Sequence, residues 1–372
     1  MKFNYESCEN CFARTQHIVS RLVYGEIDPQ DNPLVTVAIP TYKRPELLKE
    51  AIESVLTSAI PPYQWELLIV DNEPDNGKPN LTESLVRKLK NKRIRYYRNS
   101  ENMLPADNFN RCFTLARGKW VCMLHDDDLL LYRTLRYLGD VLEKLPKIST
   151  KPLGAISAGY VPFRYDPGTQ RVLDDITALN YYFACNMFDF TFFTPTQSNI
   201  WFTGHPGGCL PSNGTTFNLE AVKRVGGFNS SFGLCGGMAL LYNLENQYAV
   251  YQTLTPLGFC RCGGNSMSEQ DAGIKTYLSI INMQNYVAHK NRLTRLLSYF
   301  LKGCWACAIG LQIEQQHQFV FPGKNFCDDM ANIKRFSQSW KFKLFKIIVN
   351  EPYSILNSWK TSRIRQKLMA LR

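Results

Sequence analysis

Between residues 34 and 131, short runs of β-branched and other apolar residues alternate with segments of helical periodicity, and this alternation limits the chain to a small set of folds. Pro45 is predicted to open a helix, because the apolar residues after it recur at helical spacing through Leu56. The pattern predicts βαβ units, that is, an α/β fold with a mostly parallel, Rossmann-like sheet flanked by helices. The predicted strands, each bounded by polar or turn-forming residues, are 35–39, 66–70, 94–97 and 120–124.

Polar side chains follow three of these predicted strands at the points where the strands end. The segments are 40–44 (PTYKR), 71–73 (DNE) and 125–128 (HDDD). Right-handed crossovers bring the carboxyl ends of parallel strands to one edge of the sheet, where open α/β sheets bind their ligands. We therefore expect the three segments to form one ligand site.

Three consecutive aspartates, Asp126, Asp127 and Asp128, are the chemically most specific part of that expected site. Adjacent carboxylates repel one another, so a fold keeps them either in water or beside a cation. A divalent cation with oxygen ligands, Mg²⁺ or Mn²⁺, would neutralise them and hold a diphosphate. The alternative is an exposed acidic turn that caps a helix starting near Leu129, and the residues alone leave both interpretations open.

Four separated segments resemble, in their order and spacing, the amino-terminal half of family 2 glycosyltransferases with the GT-A fold. The resemblance implies a GT-A catalytic domain over residues 34–270, with a nucleotide-binding half at 34–131 and an acceptor half at 132–270. An amino-terminal extension, 1–33, and a helical, basic region, 271–372, would flank it. The four segments are 35–44 (VTVAIPTYKR), 66–72 (ELLIVDN), 101–111 (ENMLPADNFNR) and 116–129 (ARGKWVCMLHDDDL), and a weaker similarity continues through 212–228 and 258–268.

The resemblance also implies roles for individual residues. Asp127 stands at the metal-ligand position, with Asp128 as the alternative ligand. Arg261 and Ser266 lie in a segment similar to the loop that closes over the diphosphate in relatives. Tyr42 suits stacking on a base, and a core aromatic is the competing interpretation. The residues that would contact the nucleotide are Pro40, Thr41, Tyr42, Arg44, Asp71, Asn72, Asn108, Asn110 and Asp126.

Two positions on the donor side depart from the family pattern. Asn72 replaces the second residue of an acidic pair that binds the base, which puts the usual preference for uracil in doubt. Phe109 stands where relatives often carry an arginine. Its polar neighbours Asn108, Asn110 and Arg111 either substitute for that arginine or cap the helix.

The catalytic base that relatives use has no counterpart in the sequence. Relatives commonly carry a Glu-Asp pair shortly after a Gly-Gly-Phe motif, at the start of a helix, and the best match here is Gly236-Gly237. No carboxylate occurs between Glu220 and Glu245. Three explanations stay open: the base comes from elsewhere, the substrate needs none, or the chain has lost activity. The weak candidates for a base from elsewhere are His205, Glu245 and Asp271.

The charge of the chain indicates an anionic partner. Lysine and arginine number 43 against 32 acidic residues, for a formal charge of +11. Residues 270–301 are predicted to be helical, and residues 331–372 hold ten lysines or arginines against one acid, Glu351. Aromatic and aliphatic residues are interleaved with this basic tail. The tail is predicted either to lie at an anionic membrane surface, through residues 334–372, or to pack as a helix with a solvated basic face.

Together these features predict a metal-assisted glycosyltransferase, with Mn²⁺ or Mg²⁺, that moves a sugar from a nucleotide-diphosphate sugar to a glycan. A UDP-sugar is the first expectation, the acceptor is expected to be lipid-linked and to belong to a bacterial surface polysaccharide, and family likeness implies inversion. The amino terminus lacks the apolar segment of a secretory signal, which predicts a cytoplasmic protein at the inner membrane face.

Two other function classes are open. A catalytically silent, glycosyltransferase-like binding module would account for Gly236-Gly237. A nucleic-acid-binding protein would account for the charge, but the aspartates at 126–128 would repel a phosphate backbone, so no nucleic acid partner is expected.

Overall fold

The computed structural model describes residues 10–164, 193–195, 214–262, 272–290, positions within 303–314, and 330–347. Within them, helices cover both faces of one large sheet. Its strands are β1 (Ser20–Tyr24), β2 (Val35–Thr41), β3 (Trp65–Asp71), β4 (Ile94–Asn99), β5 (Trp120–Met123), β6 (Leu129–Leu130), β7 (Leu153–Arg164), β8 (Phe193–Pro195), β9 (Thr215–Asn218) and β10 (Ala249–Cys262).

The helices begin with three that alternate with the first strands and end with two short ones near the carboxyl terminus. They are α1 (Pro45–Leu56), α2 (Leu81–Leu89), α3 (Pro105–Leu115), α4 (Thr134–Ile148), α5 (Leu219–Arg224), α6 (Gly236–Glu245), α7 (Ala272–Lys290), α8 (Met330–Ser337) and α9 (Trp340–Phe345), with 3₁₀ helices at Cys11–Thr15 and Ser230–Cys235.

The sheet confirms the predicted parallel unit and adds antiparallel strands to it. The described strands pair in the order β1-β4-β3-β2-β5-β9-β7-β10-β6, and β8 pairs with β10. Strands β4, β3, β2 and β5 are parallel neighbours. Strand β9 lies antiparallel between β5 and β7, while β7 and β10 are parallel to each other. The architecture is mixed α/β, as expected, and its four-stranded parallel part lies in the amino-terminal half.

The four predicted strands are present, and the structure lengthens three of them. Strand β2 continues to Thr41, β3 to Asp71 and β4 to Asn99, whereas β5 ends at Met123. Every residue of β2 and β3 is buried, because helices cover both faces of a central parallel strand. Thr41 and Asp71 are therefore the last residues of two paired strands, opposite each other in register.

Helix α1 begins at Pro45, as predicted, where the missing N–H of proline leaves no hydrogen bond unmade. Its buried stripe, Leu48, Ala51, Ile52 and Val55, packs with alternate residues of β2 in the core on one face of the sheet. Helices α3, α5 and α6 contribute to a second core on the other face. Packing of α1 thus fixes the path of the chain as it leaves the end of β2.

A third apolar cluster joins the carboxyl-terminal helices to the rest of the structure. Phe232 and Met238 pack there with Tyr286 of α7 and with Phe342 and Phe345 of α9. Helix α7 lies within the helix predicted for 270–301. The remaining residues of that prediction, 270–271 and 291–301, are outside the described ranges. In the described part of the chain, no helix has both the length and the apolar character needed to cross a bilayer.

Candidate active site

Thr41 links the three polar segments at the carboxyl ends of β2, β3 and β5. Its carbonyl oxygen accepts the N–H of Asn72 at 2.9 Å, which ties the ends of β2 and β3 together. Its hydroxyl donates to Asp126 Oδ2 at 2.8 Å, which ties the end of β2 to the turn after β5. The expectation that the segments after three separate strands meet at one edge is therefore confirmed.

The aspartates at 126–128 form a buried turn. Asp126, Asp127 and Asp128 have relative exposures of 8%, 7% and 2%. The next residues form strand β6 rather than a helix, and α4 begins only at Thr134. The interpretation as an exposed acidic turn that caps a helix is therefore wrong, because the turn packs under the end of the sheet instead of facing water.

The Arg44 guanidinium lies beside two of the buried carboxylates. Arg44 Nη1 is 3.2 Å from Asp127 Oδ2 and 3.6 Å from Asp126 Oδ1. Burial raises the pKa of Asp126, the neighbouring charge of Asp127 raises it further, and the Thr41 hydroxyl and Arg44 act in the opposite direction. Burial disfavours the charged form of the carboxyl, the nearby carboxylate disfavours it further, and a bound cation would oppose both effects.

His125, Asp127 and Asp128 fit a divalent cation. Each offers one potential ligand atom, and the three atoms lie within 4.8 Å of one another. The imidazole Nδ1 of His125 is 3.5 Å from Asp128 Oδ2. The two carboxylates are ligands that suit Mg²⁺ and Mn²⁺, and the imidazole is a ligand that transition-metal ions accept. The family resemblance implied Asp127 and Asp128 as ligands but not His125, and the available signal for His125 was its position directly before Asp126.

Arg261 braces this acidic turn. Its backbone N–H donates to Asp128 Oδ1 at 2.8 Å, and its Nε donates to the carbonyl oxygen of Asp127 at 2.8 Å. Its Nη2 donates to Glu50 Oε2 of α1 at 2.5 Å. The side chain is 1% exposed. The structure thus brings Arg261 to the predicted site as a buried support, while its contact with a diphosphate stays a prediction, and Ser266 lies outside the described residues.

Asp71 is held by three donors at the end of β3. Its Oδ1 accepts the N–H of Glu73, and its Oδ2 accepts Asn80 Nδ2 and the hydroxyl of Tyr96 at 2.9 and 2.7 Å. Burial raises the pKa of Asp71, and these hydrogen bonds oppose the rise. The carboxylate is therefore fixed in one orientation at the edge that also carries Thr41.

The amide of Asn72 explains one departure from the family pattern. Its Nδ2 donates to the carbonyl oxygen of Met103 and to Asn102 Oδ1, both at 2.7 Å. Its Oδ1 accepts the N–H of Met103 at 3.0 Å and Asn99 Nδ2 at 3.3 Å. An ionised carboxylate at this position could accept but not donate. The local loop therefore requires an amide here.

Asn108, Asn110 and Arg111 support the fold around α3. Asn108 donates to the carbonyl oxygen of Val70, and Asn110 exchanges two hydrogen bonds with the backbone of Phe228. Arg111 donates to the carbonyl oxygens of residues 15 and 18. The N-cap of α3 is Leu104, so the helix-cap interpretation is wrong. Within the described part of the chain, these side chains bond to β3, to Phe228 and to the amino-terminal segment, and their nucleotide contacts stay predictions.

Phe109, at the position where an arginine was expected, packs against the acidic turn from the side of α3. Its ring meets the His125 ring edge-on with centroids 5.4 Å apart and contacts Phe228 at 5.1 Å. A phenylalanine here orients the imidazole through packing rather than charge.

Tyr42 lies at the surface of the predicted site, and the interpretation as a core aromatic is wrong. Its side chain is 40% exposed. Lys43, the next residue, has a φ of +54°, a left-handed conformation that is unfavourable for a side chain with a Cβ. Its Nζ lies 5.3 Å from the centre of the Tyr42 ring. Pro40, by contrast, is a buried residue of β2.

Helix α6 begins at Gly236, where the match with relatives expects an acidic pair to open a helix. Its first turn contains no acidic residue. Glu245 ends the same helix, about 14 Å away along its axis at 1.5 Å per residue. His205 and Asp271, the other candidate bases, lie outside the described residues.

Comparison with known proteins finds a family match over part of the chain. Residues 36–191 match the sequence model for glycosyl transferase family 2. An uncharacterized glycosyltransferase of Methanocaldococcus jannaschii, MJ1057, is 33% identical over 112 residues, which are 29% of this chain and 37% of that protein. The putative colanic acid biosynthesis glycosyl transferase WcaA of Escherichia coli is 31% identical over 99 residues, 27% of this chain and 34% of that protein.

The aligned region is thus about a third of the length of these curated relatives. Among solved structures, the mannosyltransferase PcManGT of Pyrobaculum calidifontis, in complex with GDP-Man and Mn²⁺, aligns over 93% of this chain and 88% of its own with a TM-score of 0.49 and 15% identity. Residues 36–191 are therefore a region similar to glycosyl transferase family 2.

Proposed function

We propose that the protein transfers a sugar from a nucleotide-diphosphate sugar, with a UDP-sugar as the first candidate, to a glycan acceptor. The observation that carries the proposal is a pair of hydrogen bonds at Thr41: its carbonyl oxygen accepts the N–H of Asn72, and its hydroxyl donates to Asp126. A base-binding loop and an acidic turn on one sheet edge can hold the two ends of a nucleoside diphosphate together.

The donor is proposed to lie along this edge. The exposed ring of Tyr42 would stack on the base, with Asp71 beside it, and Asp126 would contact the ribose. His125, Asp127 and Asp128 would hold a divalent cation, Mn²⁺ or Mg²⁺. Once bound, such a cation would neutralise the diphosphate and stabilise it as a leaving group. Arg44, next to the carboxylates, would add positive charge at the same end.

The acceptor is proposed to be a glycan of a surface polysaccharide, carried on a lipid. The colanic acid relative supports the polysaccharide class. Inversion at the anomeric carbon is part of the proposal and rests on the family resemblance. The base that would deprotonate the acceptor hydroxyl is left unassigned, with His205 and Asp271 as candidates.

A second candidate function has a specific observation in its favour. Helix α6 opens on Gly236-Gly237 and has no acidic residue in its first turn. A protein without the base would bind a nucleotide sugar and not transfer it. The two candidates share the donor site and differ in turnover.

The test is calorimetric binding of UDP, GDP, CDP and dTDP, with and without Mn²⁺, to the wild type, to Asp127→Asn and to the control Asp140→Asn. Asp140 is an exposed aspartate of α4. The proposal expects one nucleotide to bind in a Mn²⁺-dependent manner to the wild type and the control, and to bind at least tenfold more weakly to Asp127→Asn. Binding of none of them, or equal binding by all three proteins, would contradict it.

Turnover separates the two candidates. With the nucleotide sugar that matches the bound base and a lipid-linked glycan extract as acceptor, release of the nucleoside diphosphate together with a heavier glycan supports transfer. Tight binding without release under the same conditions supports the silent binding module.

A further inference from the structure

Helix α9 and the residues that follow it present an apolar stripe to solvent. Trp340, Leu344 and Ile347 are 69%, 45% and 57% exposed. Their spacing of four and then three residues places them on one face of a helix. Large apolar side chains that line up on an exposed face indicate a surface that contacts something else.

The opposite face of the same segment is packed, so the stripe is held in place. Phe342 and Phe345 are 4% and 3% exposed and belong to the third apolar cluster, together with Cys304 and Cys307. The Ser339 hydroxyl oxygen accepts the N–H of Phe342 and caps the helix. The apolar residues of the tail therefore divide between a face that anchors the helix and a face that remains uncovered.

Positive charge surrounds the stripe. Lys341, Lys343 and Lys346 alternate with its apolar residues and are exposed. Lys334 and Arg335 of α8 are exposed as well, and Lys334 pairs with Glu314 at 2.7 Å. Residues 330–347 contain no aspartate or glutamate. The surface thus combines an apolar centre with a cationic rim.

We infer that this surface, residues 340–347, docks on a bilayer that contains anionic lipid. Tryptophan and lysine side chains suit the boundary between headgroups and acyl chains, because each has an apolar body and a polar end. Leucine and isoleucine gain free energy when they enter the acyl region, and lysines gain from anionic headgroups. The docking does not depend on the proposed sugar transfer, although it would bring the protein to a lipid-linked acceptor.

Two other occupants fit this surface less well than an anionic bilayer does. A second copy of the same surface would place its lysines against like charges. A nucleic acid would use the lysines, but Leu344 and Ile347 have no planar face on which a base could stack. Of these three partners, only an anionic lipid surface offers acyl chains to the apolar centre and negative charge to the lysines around it.

The test is co-sedimentation of the full chain with vesicles of two compositions. One is phosphatidylcholine alone, and the other is phosphatidylcholine with about 30% phosphatidylglycerol, which gives the vesicle a negative surface potential. The variants are Trp340→Ser with Leu344→Ser, and Lys341→Gln with Lys343→Gln. Each variant has a matched control at exposed residues elsewhere. For the apolar pair it is Ile60→Ser with Leu81→Ser, at residues 81% and 72% exposed, and for the lysine pair it is Lys88→Gln with Lys92→Gln.

The wild type and both controls are expected to bind the anionic vesicles, and to bind neutral vesicles at least tenfold more weakly. Each lysine removed from the surface should weaken binding about fivefold. Loss of Trp340 and Leu344 should weaken it about tenfold or more. Brominated lipid should quench the fluorescence of the wild type more than that of Trp340→Phe, because this tryptophan enters the bilayer.

Four outcomes would overturn the inference. They are no binding to anionic vesicles by the wild type, unchanged binding by the Trp340/Leu344 variant, a stripe-dependent dimer in the absence of lipid, and equal loss of binding by the controls.

The calorimetric nucleotide titration is repeated on the vesicle-binding variants. Unchanged nucleotide affinity there separates a failure of docking from a failure of the donor site.

Discussion

The backbone N–H of Arg261 donates to Asp128 Oδ1 at 2.8 Å, so strand β10 ends on the acidic turn that follows β5. The guanidinium of the same residue reaches both the carbonyl oxygen of Asp127 and the carboxylate of Glu50. Three segments distant in the sequence are thereby locked around the proposed cation ligands. Positions of metal ligands depend on such supporting contacts, and their loss weakens metal binding.

Removal of the Glu50 charge should loosen this support. In Glu50→Gln, the buried Arg261 guanidinium loses its counter-charge, and we expect a loss of about 1–3 kcal/mol in the free energy of unfolding. Mn²⁺-dependent nucleotide binding should weaken about tenfold. Urea unfolding and calorimetry measure the two effects. Glu53→Gln, at an exposed glutamate of the same helix paired with Lys49, is the control and should change neither. Equal effects in both variants would refute the supporting role.

Asn72→Asp restores the acidic pair of the family pattern, and we expect it to destabilise this protein. The new carboxylate would face the carbonyl oxygen of Met103, to which the amide now donates at 2.7 Å. An unsatisfied buried acceptor costs about 1–3 kcal/mol, and urea unfolding at neutral pH measures it. Asn32→Asp, at an exposed loop residue, is the control. A variant as stable as wild type would show that the amide network is dispensable.

Two glycines with nearly the same positive φ allow backbone strain and steric overlap to be measured separately. Gly227 has a φ of +76°, and a Cβ there would lie 2.4 Å from Asn110 Oδ1 and 2.9 Å from the Phe12 ring. Gly77 has a φ of +79° and no neighbouring atom within 4 Å. We expect Gly77→Ala to cost about 1–2 kcal/mol from backbone strain alone. Gly227→Ala should cost clearly more in the same thermal or urea unfolding measurement, and equal costs would contradict the packing around Asn110.

Asp107 should make folding stability depend on pH. Burial raises its pKa, and Arg14, 3.8 Å away, opposes part of the rise. The folded protein then holds this proton more tightly than the unfolded chain does. The stabilising contribution is complete below the unfolded pKa, near 3.8, and is lost as the pH rises through the higher folded pKa.

The measurement is the free energy of unfolding of wild type and Asp107→Asn across acidic to neutral pH. Stability of the wild type relative to the variant should fall as the pH rises through that window. The exposed Asp140→Asn provides the reference for a carboxyl that reaches solvent. A relative stability that rises with pH would mean that Arg14 outweighs burial.

Local sequence signals predicted the scaffold and the donor edge. Apolar runs predicted strands β2 to β5, and Pro45 predicted the start of α1. The start of α6 at Gly236 was implied by the resemblance to relatives and not by a local pattern. The ends of strands were less predictable, because polar residues such as Thr41 and Asp71 look like loop residues although sheet pairing continues through them. The side on which the polar segments meet followed from the handedness of βαβ connections.

Residue types and their spacing fixed which groups are available to this protein: a triplet of aspartates after a buried strand, a nearby arginine, and a basic tail with interleaved aromatics. Folding decided how these groups are used. Glu50 and Arg261 are 211 residues apart, and Asn110 and Phe228 are 118 apart. In the tail, packing buried Phe342 and exposed Trp340 two residues away. Periodicity reports local conformation, whereas partners and exposure depend on long-range packing, which local residue patterns do not encode.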